Sequence, residues 1–271
     1  MKRILVPTDF SDLATRALRH AGAIALHSGA EITVLYADTF LPPPHFTSEQ
    51  IPDLVQNIEQ SKAAAKERLN RYAAEILGPA VRWKGVVAEQ LPVDAILETA
   101  AEIHAELIVM GTHGRSGFNR LMLGSVTEKV LRQTNTPLMT TRWREDAAPE
   151  PKRILVPTDL SRAADRAMAL TLEHAQMFNS EITLLHVVEQ GEEPGADAWD
   201  RYIGPAGANA SIVRRVERGE VATRVLEVAA EISADLIVVG IEHKRFRDTT
   251  VLGTDVLRII RHADVPVVAV P

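Results

Sequence analysis

The sequence predicts an α/β protein of two tandem domains, each a parallel sheet with helices on both faces, and three observations predict it. The chain has 271 residues, many for one core and suited to two, because domains cluster near about 100–150 residues. It also repeats itself: Lys2-Arg3-Ile4-Leu5-Val6-Pro7-Thr8-Asp9 recurs unchanged as Lys152-Arg153-Ile154-Leu155-Val156-Pro157-Thr158-Asp159, an offset of 150, as in a tandem duplication. Within each copy, short β-branched runs alternate with helical stretches. Strands so connected must be parallel, and their crossover helices must lie on the faces of the sheet.

The elements of the first copy follow in order. Arg3 to Pro7 is an apolar run that reads as a buried strand, and Ser11 is placed to cap a helix running to about Ser28. Glu31 to Ala37 is the second strand, and Ser61 to Leu77 is a helix closed by Gly78-Pro79. Ala80 to Val87 is a third strand, Val93 to His104 a helix, Leu107 to Met110 a fourth strand, Ser125 to Gln133 a helix and Pro137 to Thr141 a last strand. In the second copy the offset falls to 129 where Ala229-Ala230-Glu231-Ile232 repeats Ala100-Ala101-Glu102-Ile103, so this copy lacks 21 residues of the middle. The domains are expected at residues 1–143 and 152–271, with a linker at 144–151 marked by Pro149 and Pro151. Gly191 to Ala208, rich in Gly, Pro and acidic residues, leaves little room for a counterpart of the Ser61 helix. Either the loop is simply trimmed, or one face of the second sheet is bare and a second subunit covers it. The latter predicts a homodimer.

Composition excludes several classes. With 46% hydrophobic and 24% charged residues the chain is too apolar for disorder. Its longest apolar runs, such as Leu107 to Met110 and Leu236 to Val239, fall far short of the roughly 18 residues of a membrane span. The opening Met1-Lys2-Arg3 leads straight into a strand, with no visible signal peptide, so the expected location is the cytoplasm. The absence of cysteine removes disulfides, thiolate metal sites and cysteine nucleophiles. A net charge of −6 argues against a broad surface for nucleic acid.

The chemistry is expected beyond the carboxyl ends of the strands, where ligands sit in open α/β sheets. After the fourth strand comes Gly111-Thr112-His113-Gly114-Arg115-Ser116-Gly117, and nine residues separate Gly114 from Gly124-Ser125. Glycines there let a ligand approach the backbone without meeting a Cβ. A helix N-terminus adds amide donors and the positive end of its dipole, which suits phosphate, and Arg115 adds a charge. The alternative is a plain tight turn in which Ser125 is the N-cap of a capping box closed by Glu128. No metal-ligand spacing such as His-Glu-x-x-His occurs, nor does Gly-x-x-x-x-Gly-Lys-Ser/Thr. Asp9 is a secondary candidate for magnesium bridging phosphates.

The Gly-x-x-Gly, nine residues, Gly-Ser spacing, together with the opening Ile-Leu-Val-Pro-Thr-Asp-Phe-Ser, resembles the universal stress protein family over essentially the whole chain. The resemblance implies a five-stranded sheet of order 3-2-1-4-5 in each copy and ATP, alone or with magnesium, across the ends of strands one, two and four. It implies that Asp9 and Ala37 hold the adenosine end and that Gly111, Gly114, Gly124 and Ser125 wrap the phosphates. In the second copy the corresponding residues are Asp159, Val187, Gly240, Gly253 and Thr254, but Gly240-Ile241-Glu242-His243 replaces Gly-x-x-Gly. A His there resists a left-handed backbone at a cost of roughly 1 kcal/mol or more, so this site is expected to be weak, altered or empty. The leading expectation is a nucleotide-binding regulatory protein of the stress response. The alternatives are a scaffold that dimerises through its last strands without nucleotide, and a slow ATP-hydrolysing enzyme.

Overall fold

The computed structural model describes residues 1–39, 51–112, 123–142, 150–195, 197–203, 211–242, 244–246, 249–251 and 253–271. In the first half, β1 (Arg3–Pro7), β2 (Glu31–Ala37), β3 (Arg82–Ala88), β4 (Leu107–Gly111) and β5 (Leu138–Thr141) alternate with α1 (Asp12–Ser28), α2 (Ile51–Leu77), α3 (Pro92–Glu102) and α4 (Ser125–Gln133). The second half holds β6 (Arg153–Pro157), α5 (Arg162–Phe178), β7 (Glu181–Val188), α6 (Asp197–Ile203), β8 (Ser211–Arg218), α7 (Val221–Glu231) and β9 (Leu236–Gly240). A hairpin of β10 (Lys244–Phe246) and β11 (Thr249–Val251) follows, then α8 (Thr254–His262) and β12 (Val267–Val270). Among the described residues no helix is long and apolar enough to cross a membrane.

Each half has the strand order 3-2-1-4-5, and the two sheets fuse into one of ten strands, β3-β2-β1-β4-β5-β12-β9-β6-β7-β8. The seam is the antiparallel pair β5–β12, in register at Thr140↔Val267 and Met139↔Val268; all other pairs of this sheet are parallel. Alternation along the strands sends Ile4, Val6, Ile154 and Val156 to one face, and Leu5 and Leu155 to the other. Each of the two apolar layers draws residues from both halves, so the core runs unbroken across the seam. Arg142 reinforces it by donating to the Ile260 carbonyl near the end of α8 at 2.7 Å.

The caps explain why α1 and α5 lie where the sequence places them. Ser11 Oγ accepts from Ala14 N and Ser161 Oγ from Ala164 N, each at 3.3 Å, and left-handed Gly29 (φ 68°) and Asn179 (φ 52°) stop the two helices. The α2 helix starts at Ile51 rather than at Ser61. Pro52 is no obstacle, because the first turn of a helix lacks intrahelical amide partners.

The expectation of a bare second sheet is corrected. Residues 197–203 form α6, and its Trp199, only 4% exposed, joins the buried layer of β6 and β7. The indole meets His186 edge-on at 6.1 Å, and Asp200 lies 3.9 Å from Arg214 of β8. An apolar side chain of this short helix thus covers part of a face that the sequence suggested was bare.

On α1, His20 is 7% exposed, and burial, then the Arg16 charge, lower its pKa from 6.5 to about 4. Burial likewise lowers that of His174 on α5. Because the folded-state pKa lies below the unfolded one, the neutral ring is the form that folds. The His20 contribution is intact above pH 6.5 and is lost as pH falls towards 4, an effect of about 3 kcal/mol. Urea midpoints measured across this window should fall steeply, and His20→Leu should flatten the slope; an unchanged slope would refute the assignment.

Candidate functional site

Beyond β1 the chain makes a tight, self-bonded turn. Thr8 N donates to Leu35 O at 2.8 Å, tying the turn to β2. Thr8 Oγ1 accepts from Phe10 N and Asp9 Oδ1 from Ser11 N, both at 3.0 Å. These bonds hold Phe10 at φ 63°, a left-handed conformation that disfavours side chains with a Cβ. The second copy repeats the device: Leu160 has φ 62°, Thr158 Oγ1 accepts from Leu160 N, and Asp159 Oδ1 accepts from Ser161 N, again at 3.0 Å. The recurring Thr-Asp is therefore explained first by the turn, in which one oxygen of each aspartate is engaged.

Ala37 closes β2, and the next residue, Asp38, donates its N–H to Ala88 O at 3.0 Å. On the helix side of these strand ends stands an aromatic wall that sequence reading does not find. The Phe10 ring lies 4.9 Å from Tyr36 and 5.2 Å, edge-on, from Tyr72, with the Arg68 guanidinium 4.1 Å above it. Tyr72 Oη contacts Thr15 Oγ1 at 3.1 Å, and burial pushes its pKa up. The three rings are scattered through the chain, so only the fold assembles them.

Gly111 ends β4, and two threonines fasten it to α4. Thr127 Oγ1 donates to Gly111 O at 2.9 Å, and Gly124 N donates to Thr112 O at 2.6 Å. Sequence reading passed over both. The structure corrects the capping-box alternative: Gly124 is the N-cap, with no side chain to accept from the first turn, and Ser125 is the first helical residue. The Glu128 carboxylate turns away to Arg132 at 2.7 Å and Arg261 at 3.3 Å, and hydrogen bonding to Arg132 holds its pKa low. The structure thus brings Gly111, Gly124 and Ser125 together near the end of β1. Gly114 and Arg115 lie outside the described residues.

In the second copy a cleft of about 460 Å³ opens at the matching place, lined in part by Pro157, Asp159, Val187, Gly240, Gly253 and Asp255. Thr254 is the first residue of α8, behind the N-cap Gly253. The segment that follows Glu242 carries the β10–β11 hairpin, paired at Lys244↔Val251; His243 and Arg247 lie outside the described residues. The two glycines here differ in kind. A Cβ on Gly240 would stand 2.3 Å from the backbone carbon of Ala163, so helix packing demands glycine. A Cβ on Gly253 would meet nothing within 4 Å, and its φ of −57° suits any residue. Among the described residues no group of three or more His, Asp or Glu side chains is arranged to hold a metal ion.

Comparison with known proteins places these features in one family. The universal stress protein family model matches residues 1–142 and again 150–271. A universal stress protein of Methanocaldococcus jannaschii is 30% identical over 141 residues, 52% of this chain and 82% of the relative. One from Mycolicibacterium smegmatis is 23% identical over 98% of this chain and 96% of its own. The crystal structure of a universal stress protein from Archaeoglobus fulgidus has the same fold, with a TM-score of 0.73 at 23% identity over 99% of this chain and 95% of that one. The chain therefore belongs to the universal stress protein family, with two family domains in tandem.

Proposed function

We propose that the first copy binds ATP, alone or with magnesium, and that occupancy regulates what this cytoplasmic protein does in a stress response, without rapid turnover. The observation that carries this reading is the N-terminus of α4, capped by a glycine with no side chain of its own to satisfy the first-turn amides. Those amides and the positive end of the helix dipole suit an anion. In this reading Gly111, Gly114, Gly124 and Ser125 wrap the phosphates, with Arg115 beside them. Asp9 and Ala37 lie at the adenosine end, against the turn fixed by Thr8, and any magnesium arrives with the nucleotide.

The dimerising-scaffold alternative relied on the last strands of both copies. In the structure those strands are spent on each other inside one chain, which favours the nucleotide reading.

The test is calorimetric titration of the full chain with ATP, with and without magnesium. Gly124→Val should weaken binding at least a hundredfold while leaving the unfolding midpoint in place, since Gly124 has φ −62° and ψ 146°, values valine adopts freely. Unchanged affinity would refute the site. Fast magnesium-dependent hydrolysis would instead make the protein an enzyme.

A further inference from the structure

Resting on the reading of the first cleft, we propose that the cleft of the second copy is a nucleoside site that excludes phosphate: it takes an uncharged ligand of the adenosine class and rejects ATP.

The frame of the two clefts is the same. Thr158 N donates to Leu185 O at 2.8 Å, as Thr8 N does to Leu35 O, and the two Thr-Asp turns carry identical bonds. The cavity of about 460 Å³ has apolar walls from Leu185, Val187, Val221 and Val239, a size and lining that fit a small organic ligand. Gly253 contributes a second observation. It lines the cleft, and a Cβ there would meet nothing within 4 Å, so the end of the cleft toward α8 stands open.

What differs is charge. Under the repeat offset of 129, Val126 becomes Asp255 and His113 becomes Glu242. Both carboxylates line the cleft together with Asp159, and no Lys or Arg is among its described lining residues. Asp255 is the second residue of α8, so the protein's own carboxylate stands at the helix terminus that a phosphate would need. Its pKa is raised by burial first and then by the carboxylates of Glu220 and Glu189, so negative charge is already crowded there. The nearby Arg258 is engaged by Glu220. The first-turn amides of α8 are glycine-capped as in α4, but a phosphate reaching them would meet the carboxylates of Asp255, Glu242 and Asp159, whereas a nucleoside places no charge at that end.

The experiment uses the full chain carrying Gly124→Val, or Gly114→Val should that variant fold poorly, so that only the second cleft reports. Adenosine, AMP and ATP are titrated in turn. Adenosine should bind at least a hundredfold more tightly than ATP. Adding Val187→Trp, at the end of the cleft that matches Ala37, should abolish adenosine binding. Replacing both carboxylates, Glu242→Gln with Asp255→Val, should raise ATP affinity at least tenfold and leave adenosine binding where it was, a shift in selectivity that a merely structural role would not produce. Absence of adenosine binding, equal affinity for ATP, or binding that survives Val187→Trp would each overturn the proposal. If ATP fails to bind the unmodified chain while adenosine behaves as stated, the first-cleft reading fails and this one stands. If ATP binds the unmodified chain and adenosine gives no heat in the Gly124→Val background, this one fails alone.

Discussion

Gly240→Val is expected to destabilise the protein by about 3 kcal/mol, whereas Gly253→Val, thirteen residues on, changes stability by less than about 0.5 kcal/mol. The contrast follows from what each missing side chain faces. At Gly240 a Cβ would lie 2.3 Å from Ala163 C, 2.4 Å from Ala163 O and 2.7 Å from Ala164 N. These are main-chain atoms in the first turn of α5, which cannot rotate aside as a side chain can. Relief requires α5 to move off β9, opening the buried layer that holds Ala167, Met168 and Val238. At Gly253 a Cβ enters open space. Urea unfolding of the two variants checks this directly. At about 2–4 °C per kcal/mol for a chain of this order, melting should separate them by roughly 5–12 °C. Equal stabilities would mean that the strand-to-helix approach at Gly240 is looser than drawn.

Trp199→Ala should cost about 3–4 kcal/mol, the range for deleting a buried indole, and should change the solution behaviour of the protein as well. Trp199 is buried in the same apolar layer as Ile182 and Leu184 of β7, with its indole against His186. Stripped of it, that face becomes an apolar patch of the kind that drives association. Light scattering of the variant should rise with concentration while that of the unmodified chain stays flat, and Trp199→Phe should restore most of the stability. A monodisperse variant with an unshifted unfolding midpoint would refute the covering role of α6.

The parts of the fold legible in the sequence were those encoded locally. Ser11 and Ser161 announce their helices because the N-cap bond reaches only three residues ahead. The central strands stand out because strands buried on both faces are continuously apolar. The beginning of α2 was not legible: the prolines at 42–44 and Pro52 suggest a loop, although a proline in the first turn fits a helix. Nor was the hairpin, since Lys244-Arg245-Phe246 and Thr249-Thr250-Val251 lack the Asn-Gly or Asp-Gly turn that usually betrays one. α6 was missed because its one decisive apolar residue, Trp199, sits among acidic and glycine residues. The last strands could be read as edges ready to pair, but the register of the seam could not, because Thr140 and Val267 carry no mark of being partners.

At the site, the glycine positions and the recurrence of Thr-Asp could be read, while the turns that Thr-Asp builds and the reasons for the glycines could not. Ser125 with Glu128 imitates a capping box closely enough to mislead, and only the structure shows the helix starting one residue earlier than that reading needs. Likewise Gly240 and Gly253 look alike in sequence, and only their surroundings reveal that one is kept for packing and the other is not.

The β5–β12 seam has a geometric corollary. Because those strands meet head to tail and every other pair in the large sheet runs parallel, the strands of one half point opposite to those of the other. Their carboxyl ends, and both clefts with them, therefore open at opposed rims of the molecule. No single small molecule can bridge the two, and a macromolecule sensing both must embrace the whole width of the protein.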